Sequence, residues 1–311
     1  MSVCPVCRSE ADERPLCEVT LGGASRFDLV ECGECGVRRL RPMATPAQLE
    51  EFYSADYYGR DWYKQQGQGM AFARSFLRGL APGRFLDVGC GLGFFIDGVR
   101  RHSRWEVSGV EFSGKAVEFA RRELGLDVRQ GELAEAHFPA AHFDYVHVSN
   151  VLEHVRDPVG LLRECRRVIR PGGTFHLRVP NGAVDSLDLI TFHRERGEPA
   201  LSPSGHLYFF PERTLLRMFD EAGFRVERAY TYGIRRGLSS MGRWPRKKNW
   251  QRPYVAAARP VAPEQSEIVL PPKKRRPDVY YHYRFARFRL RMLSGMRPYG
   301  LDYLLLLRPK P

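Results

Sequence analysis

From Arg84 onward, short apolar blocks alternate with stretches in which apolar positions return every three or four residues. Phe85–Val88 reads as a strand, Phe94–His102 as a helix, Glu106–Val110 as a strand and Gly114–Leu124 as a helix. VRQ supplies a third strand and Phe143–Ser149 (FDYVHVS) another. Leu161, Leu162, Cys165, Val168 and Ile169 then share one helical face, and Pro171-Gly172-Gly173 is expected to stop that helix. Thr174–Val179 follows as a strand, a helix runs from Pro211 to Gly223, and Phe224–Tyr232 and Asp302–Arg308 close the pattern as strands. Strands that alternate with amphipathic helices predict an α/β protein with a mostly parallel sheet covered on both faces. No internal repeat interrupts the order.

Three segments fall outside this alternation. Residues 1–44 hold two Cys-x-x-Cys turns with strand-like residues between them. Residues 45–80 are rich in aromatics, and 235–298 form a basic insertion within the domain expected at 81–234 and 299–311. Tyr53, Tyr57 and Tyr58 are read as packing between the small module and its neighbour, with a lid over a ligand as the alternative. At 311 residues, 43% of them hydrophobic, the chain is long enough for one large domain with appendages. The run Tyr303–Leu307 is too short to span a bilayer, and the start MSVCPVCRSE lacks a basic-then-apolar leader, so a cytoplasmic protein is expected.

Charge is uneven. Arg235–Pro311 carries 19 Lys/Arg against 4 Asp/Glu, while the remainder carries 30 against 32. The basicity belongs to the C-terminal quarter, which argues against a catalytic core that grips nucleic acid. The insertion, with PPKKRRPD and YYHYRFARFRLRML, admits three readings: phosphate backbones, an anionic membrane surface met through Phe285, Phe288 and Leu290, or a solvated loop followed by a packed helix.

The stretch FLDVGCGLGFF raises the question of which nucleoside it cradles. Its glycines are Gly89, Gly91 and Gly93, and Phe94 stands where the dinucleotide fingerprint has its third glycine. Glycine at 89 and 91 still lets a backbone approach a ligand closely. Asp87 is costly as an unpaired buried acid, and an ammonium group would give it a partner. Glu111 ends the second strand where an acid can accept from ribose hydroxyls. Glu132, after the third strand, is placed to meet an adenine amino group.

LDVGCGLG, the acid in GVEFS, FDYVHVSNVLEHVRDP and RPGGTFHLRVPN together resemble the class I S-adenosylmethionine-dependent methyltransferases over about 80–232 and 301–309. The cysteine pairs with RPMATPAQLEEFYSADYY, and GHLYFFPERTLLRMFDEAGF, resemble a bacterial subgroup associated with sugar, polysaccharide or secondary-metabolite methylation. The resemblance implies a Rossmann-like seven-stranded methyltransferase sheet with its last strand antiparallel, plus a small N-terminal zinc-ribbon-like module. It also implies S-adenosylmethionine across the C-terminal strand ends, held by Asp87, Gly89, Cys90, Gly91, Gly93, Glu111, Phe112, Glu132, Leu133 and Asn150. Asn150 would lie beside the methionine part.

Cys4, Cys7, Cys32 and Cys35 offer four thiolates in two turns, the ligand set of a closed structural zinc site. Cys17, Cys90 and Cys165 lack such spacing and are read as structural thiols. His206, in SPSGHLYFFP, is the candidate general base in a loop expected over the strand ends, and His154 is expected to cap or pack at a helix start. The leading expectation is methyl transfer to a small-molecule or glycan acceptor at oxygen. RNA methylation through the basic insertion, and a non-catalytic zinc-ribbon interaction protein, are the alternatives.

Overall fold

The structure is a computed structural model that describes residues 3–21, 25–52, 62–246, 248–251, 253, 293–297 and 300–310. Tyr53, Tyr57 and Tyr58 and most of the basic insertion, including Phe285, Phe288 and Leu290, lie outside the described residues. The chain opens with an antiparallel meander of β1 (Glu13–Thr20), β2 (Arg26–Cys32) and β3 (Arg38–Arg41). Two helices follow, α1 (Pro46–Phe52) and α2 (Trp62–Phe72), the second running into a π-helical turn at Ala73–Leu77. Strands and helices then alternate through β4 (Arg84–Val88), α3 (Phe94–Arg101), β5 (Glu106–Glu111), α4 (Gly114–Leu124), β6 (Asp127–Gln130), β7 (Phe143–Ser149), α5 (Pro158–Val168) and β8 (Ile169–Pro180). Next come α6 (Gly182–Arg196), β9 (Ala200–Leu201), β10 (Tyr208–Phe209), α7 (Glu212–Glu221) and β11 (Phe224–Tyr232). Finally α8 (Ile234–Ser240), β12 (Leu293–Ser294) and β13 (Asp302–Pro309) complete the described chain.

The main sheet runs β12-β11-β13-β8-β7-β4-β5-β6. β4 through β8 pair in parallel, and β13 inserts antiparallel between β8 and β11. Seven of these strands match the expected methyltransferase sheet, and the two-residue β12 is an added edge. Phe85, Leu86, Val146, Phe175 and Leu177 have no exposed surface, as the covered faces of a parallel sheet demand. Helix α5 is capped by Asp157, whose carboxylate accepts the Gly160 N–H. It ends at Val168, before the proline expected to stop it. Pro171 to Gly173 instead fall inside β8, beside a register shift opposite Phe143 and Tyr145 that accommodates a residue without an N–H.

The N-terminal meander does not stand apart. Its sheet is five-stranded, β10-β3-β2-β1-β9, with Val19 opposite Ala200 and Arg39 opposite Tyr208. Arg38 reaches across to Ser186 Oγ (2.7 Å) and the Ala183 carbonyl (3.3 Å) on α6. Thr214 Oγ1 on α7 donates to the Cys35 carbonyl at 2.6 Å.

On the opposite side α2 crosses α3 at glycines. A Cβ on Gly69 would fall 1.9 Å from the Phe95 carbonyl oxygen, and one on Gly98 would fall 2.2 Å from the Gln66 carbonyl oxygen, so the two backbones touch. Asp97 fastens the crossing with no exposed surface, accepting from Gln66 Nε2 (2.8 Å), Arg101 Nε (2.7 Å) and Arg100 (2.8 Å). Burial would raise this carboxyl, but the hydrogen bonds from Gln66, Arg100 and Arg101 outweigh it and hold it below its ordinary value. A depressed folded pKa stabilises above the unfolded value, about 3.9, and that stabilisation is lost as pH falls through the folded value. Asp97→Asn is expected to cost about 1–3 kcal/mol at neutral pH. Thermal melts should show the deficit against wild type shrinking below about pH 4; a deficit independent of pH would rule out the carboxylate as its source.

Candidate functional site

Parallel strands place all their C-terminal ends on one rim, and the expected cofactor residues gather there. After β4 the turn takes positive φ at Gly89 (72°), Gly91 (54°) and Gly93 (81°), a path that favours glycine at each step. The Gly89 and Cys90 N–H groups both donate to the Val110 carbonyl, at 2.8 and 3.1 Å, which lashes the turn to β5. Glu111, 6% exposed, accepts from the Gly91 N–H (2.8 Å) and the Ser113 N–H (3.0 Å). The acid expected at the ribose thus also braces the turn. Phe112 beside it is exposed, an aromatic face open to a flat ligand.

The remaining members divide. Cys90 is buried with its sulfur toward Gly109 and 3.8 Å from the Gly91 carbonyl, and burial, then the charges of Asp87 and Glu111, push its thiol well up. Leu133 is likewise buried in the main core. Glu132 is exposed, with its carboxyl raised by partial burial and then by Glu135 and Asp157. Asn150 is exposed just beyond β7 at a φ of 55°, its N–H donating to the Arg178 carbonyl at 3.0 Å.

Asp87 already has a partner within the chain: His147 Nδ1–H donates to one oxygen of its carboxylate, Oδ1, at 2.7 Å, and both residues are buried. Register sets Asp87 on β4 against His147 on β7 and His147 against His176 on β8, a polar row across three central strands. Phe72 of α2 covers that row, and the His147 ring stacks on Phe95 with centroids 4.6 Å apart. Burial drives His176 well below its ordinary value, so it is neutral, and its Nδ1 lies 3.0 Å from the Tyr145 hydroxyl. Alternation in FDYVHVS puts Tyr145 and His147 on one face; the strand order that delivers Asp87 to them is not written there.

A second group collects on the same rim, beyond β7 and β8. His206 lies in the loop between β9 and β10, 7% exposed, with Nδ1 2.7 Å from Asp185 Oδ2 in the first turn of α6. Burial would lower this imidazole, but the Asp185 charge and hydrogen bond and the Glu153 charge raise it overall. The Glu153 carbonyl accepts from Leu207 (2.9 Å) and Tyr208 (3.1 Å), which pins the loop to the segment after β7. Its side chain is 1% exposed, neither carboxylate oxygen has a hydrogen-bond partner, and burial pushes the acid up to about 7 against the opposing charge of His206. His154 sits in the turn ahead of α5 with its ring centroid 4.8 Å from that of His206. Burial, then the His206 charge, holds it well below its ordinary value. Expected to pack at a helix start, it packs on His206 instead.

The four paired cysteines meet. Sγ of Cys4 lies 3.9 Å from Sγ of Cys35, Sγ of Cys7 lies 3.8 Å from Sγ of Cys32, and all four fall within 4.8 Å of one another. All seven cysteines are free thiols. Four sulfurs about 2.3 Å from a tetrahedral ion would stand about 3.8 Å apart, so the set fits zinc. Both turns share one backbone design. The Arg8 N–H donates to the Cys4 carbonyl and the Gly36 N–H to the Cys32 carbonyl, and the Cys4 and Cys32 N–H groups donate to Ser9 and Val37. Arg8 and Gly36 both take positive φ, at 60° and 73°.

Such a sheet, with a glycine turn after one central strand and an acid after its neighbour, defines an α/β protein that receives a nucleoside at its strand ends. A family model described as a methyltransferase domain matches residues 64–229, and the chain belongs to the class I S-adenosylmethionine-dependent methyltransferases. A "Probable S-adenosylmethionine-dependent methyltransferase" of Mycolicibacterium smegmatis is 36% identical over 143 residues, which is 46% of this chain and 52% of that one. A ubiquinone biosynthesis O-methyltransferase of Thiobacillus denitrificans is 33% identical over 156 residues, 48% of this chain and 67% of that one. The chain thus spans about half the length of the first relative and two thirds of the second. A solved S-adenosylmethionine-dependent methyltransferase of Archaeoglobus fulgidus covers 78% of this chain and 94% of its own at 17% identity and a TM-score of 0.46. No helix among the described residues is long and apolar enough to cross a membrane.

Proposed function

We propose that the protein transfers a methyl group from S-adenosylmethionine to a hydroxyl oxygen of a small molecule or glycan, and that the cysteine turns hold a structural zinc ion. The residues at the rim suit this cofactor: a backbone-lined glycine turn, the Glu111 carboxylate beside it, exposed Phe112, and Glu132 with the Leu133 backbone after β6. S-adenosylmethionine supplies a methyl carbon already activated on a positive sulfur. What remains for the chain is to align the acceptor, exclude water and remove a proton.

His206 is the group for the last task. Asp185 engages its Nδ1, which fixes the tautomer and leaves Nε2 to take the proton from the acceptor hydroxyl. Asp185 also steadies the imidazolium that results. Asp87, steadied by His147 through Oδ1, lies at the end of β4 beside the glycine turn, where its carboxylate can meet the methionine ammonium directly or through water. The acceptor class is supported by relatives named ubiquinone biosynthesis O-methyltransferases. The RNA reading rests on the basic insertion, most of which lies outside the described residues.

The observation that carries this reading is the occurrence on one rim of the Glu111-braced turn and the His206–Asp185 couple. Calorimetry with S-adenosylhomocysteine should show one site per chain, and Glu111→Gln should weaken it by at least about tenfold. A nicotinamide dinucleotide that binds there while the adenosyl thioether does not would overturn the assignment. Radiolabelled methyl transfer to a panel of hydroxylated metabolites and nucleotide sugars then identifies the acceptor.

A further inference from the structure

Glu153 has no account in the reaction so far. It is 1% exposed, and both of its oxygens lack a hydrogen-bond partner, an arrangement a folded protein sustains only at considerable cost. Two imidazole nitrogens face it. His154 Nε2 lies 3.8 Å and His206 Nε2 3.9 Å from Glu153 Oε1, and the three donor atoms lie within 4.8 Å of one another.

The far side of each ring is engaged. His206 Nδ1 is 2.7 Å from Asp185, and His154 Nδ1 is 3.3 Å from the Gly205 carbonyl. An imidazole that donates its Nδ1–H outward to a carboxylate or a carbonyl presents the Nε2 lone pair inward, as metal-bound histidines do. Neither 3.8 nor 3.9 Å is a hydrogen bond. The separations are those of ligands with space left between them, since ligands about 2.1 Å from a tetrahedral ion stand about 3.4 Å apart. For the two separations from Glu153, closing that difference takes a few tenths of an ångström of side-chain movement.

We propose that Glu153, His154 and His206 form a site for one divalent first-row transition-metal ion, with Asp185 and the Gly205 carbonyl as its outer partners. Two imidazoles and one carboxylate select zinc, cobalt, manganese or ferrous iron over magnesium or calcium, which prefer all-oxygen shells. Three protein ligands leave a position open, unlike the closed cysteine set. The ion and a proton compete for the one Nε2 lone pair, so proton removal by His206 belongs to the metal-free protein. The deciding measurement is therefore binding, and its failure would leave the methyl-transfer reading standing.

Full-length protein loaded with zinc at its cysteines is titrated with Co²⁺ alone, with bound metal counted by elemental analysis and the visible spectrum recorded. One Co²⁺ per chain beyond the zinc is expected, with weak ligand-field bands and no sulfur-to-metal charge transfer. Glu153→Gln and His154→Ala should each weaken it more than about tenfold, and Asp185→Asn by about 10- to 100-fold. S-adenosylhomocysteine binding serves as the check that each variant is folded. Wild-type protein that takes up no Co²⁺ beyond its zinc overturns the proposal whatever the variants do. So does Co²⁺ binding that is indifferent to all three substitutions.

Discussion

His206→Ala is expected to lower turnover by about 10²- to 10³-fold while leaving the affinity for S-adenosylhomocysteine within about twofold of wild type. The split follows from position. His206 belongs to the loop between β9 and β10, whereas the groups expected to hold the nucleoside follow β4, β5 and β6. Asp185→Asn should give a loss at least as large, since a carboxamide N–H can donate to Nδ1 and hold the ring in the tautomer whose Nε2 already carries the proton. Single-turnover assays at saturating cofactor separate this from a packing defect, which would also lower the melting temperature and the cofactor affinity. Turnover unchanged in His206→Ala would remove the residue from the chemistry.

The second large effect concerns the cysteines. Structural zinc contributes apparent binding energies of about 10 kcal/mol or more in small zinc modules, and that energy is folding energy. Stripping the ion, or replacing Cys32 and Cys35 together by serine, should therefore melt the N-terminal meander rather than perturb it locally. Because β1 pairs with β9 and β3 with β10, the damage should pass to the loop that presents His206. Turnover is expected to fall at least about tenfold while the nucleoside half, on the other sheet, keeps its affinity. Elemental analysis of protein purified without chelator should find one zinc per chain, and finding none would sink this account of the cysteines.

The legible parts of the fold are those in which local pattern and environment agree. β4, β5 and β7 are buried runs, α3 and α4 have one apolar stripe each, and their limits in the structure lie within a residue or two of those read from the chain. Helix α6 has no single apolar stripe by which its sequence would announce it. Gly182, Val184, Ser186, Leu189, Thr191 and Phe192 are all buried, as the helix packs on the N-terminal sheet and on α8. β9 and β10 have two residues each and exist only through their partners. Of the rim, the glycine turn and Glu111 follow from spacing, and His206 stands in the loop expected of it. His147 and Glu153 are legible only in three dimensions. Asp87 finds His147 because β4 lies beside β7, and Glu153 meets His206 because its carbonyl holds the next two amides of that loop.

Pairing Val19 with Ala200 and Arg39 with Tyr208 also constrains how the protein is made. Emerging from the ribosome at about 5–20 residues per second, the meander would wait on the order of ten seconds for its flanking strands. Through that interval both outer edges present unpaired backbone groups, the template on which nascent chains stick together. Fragments truncated before residue 200 should consequently precipitate, and early capture of metal by the two cysteine turns would shorten the exposure.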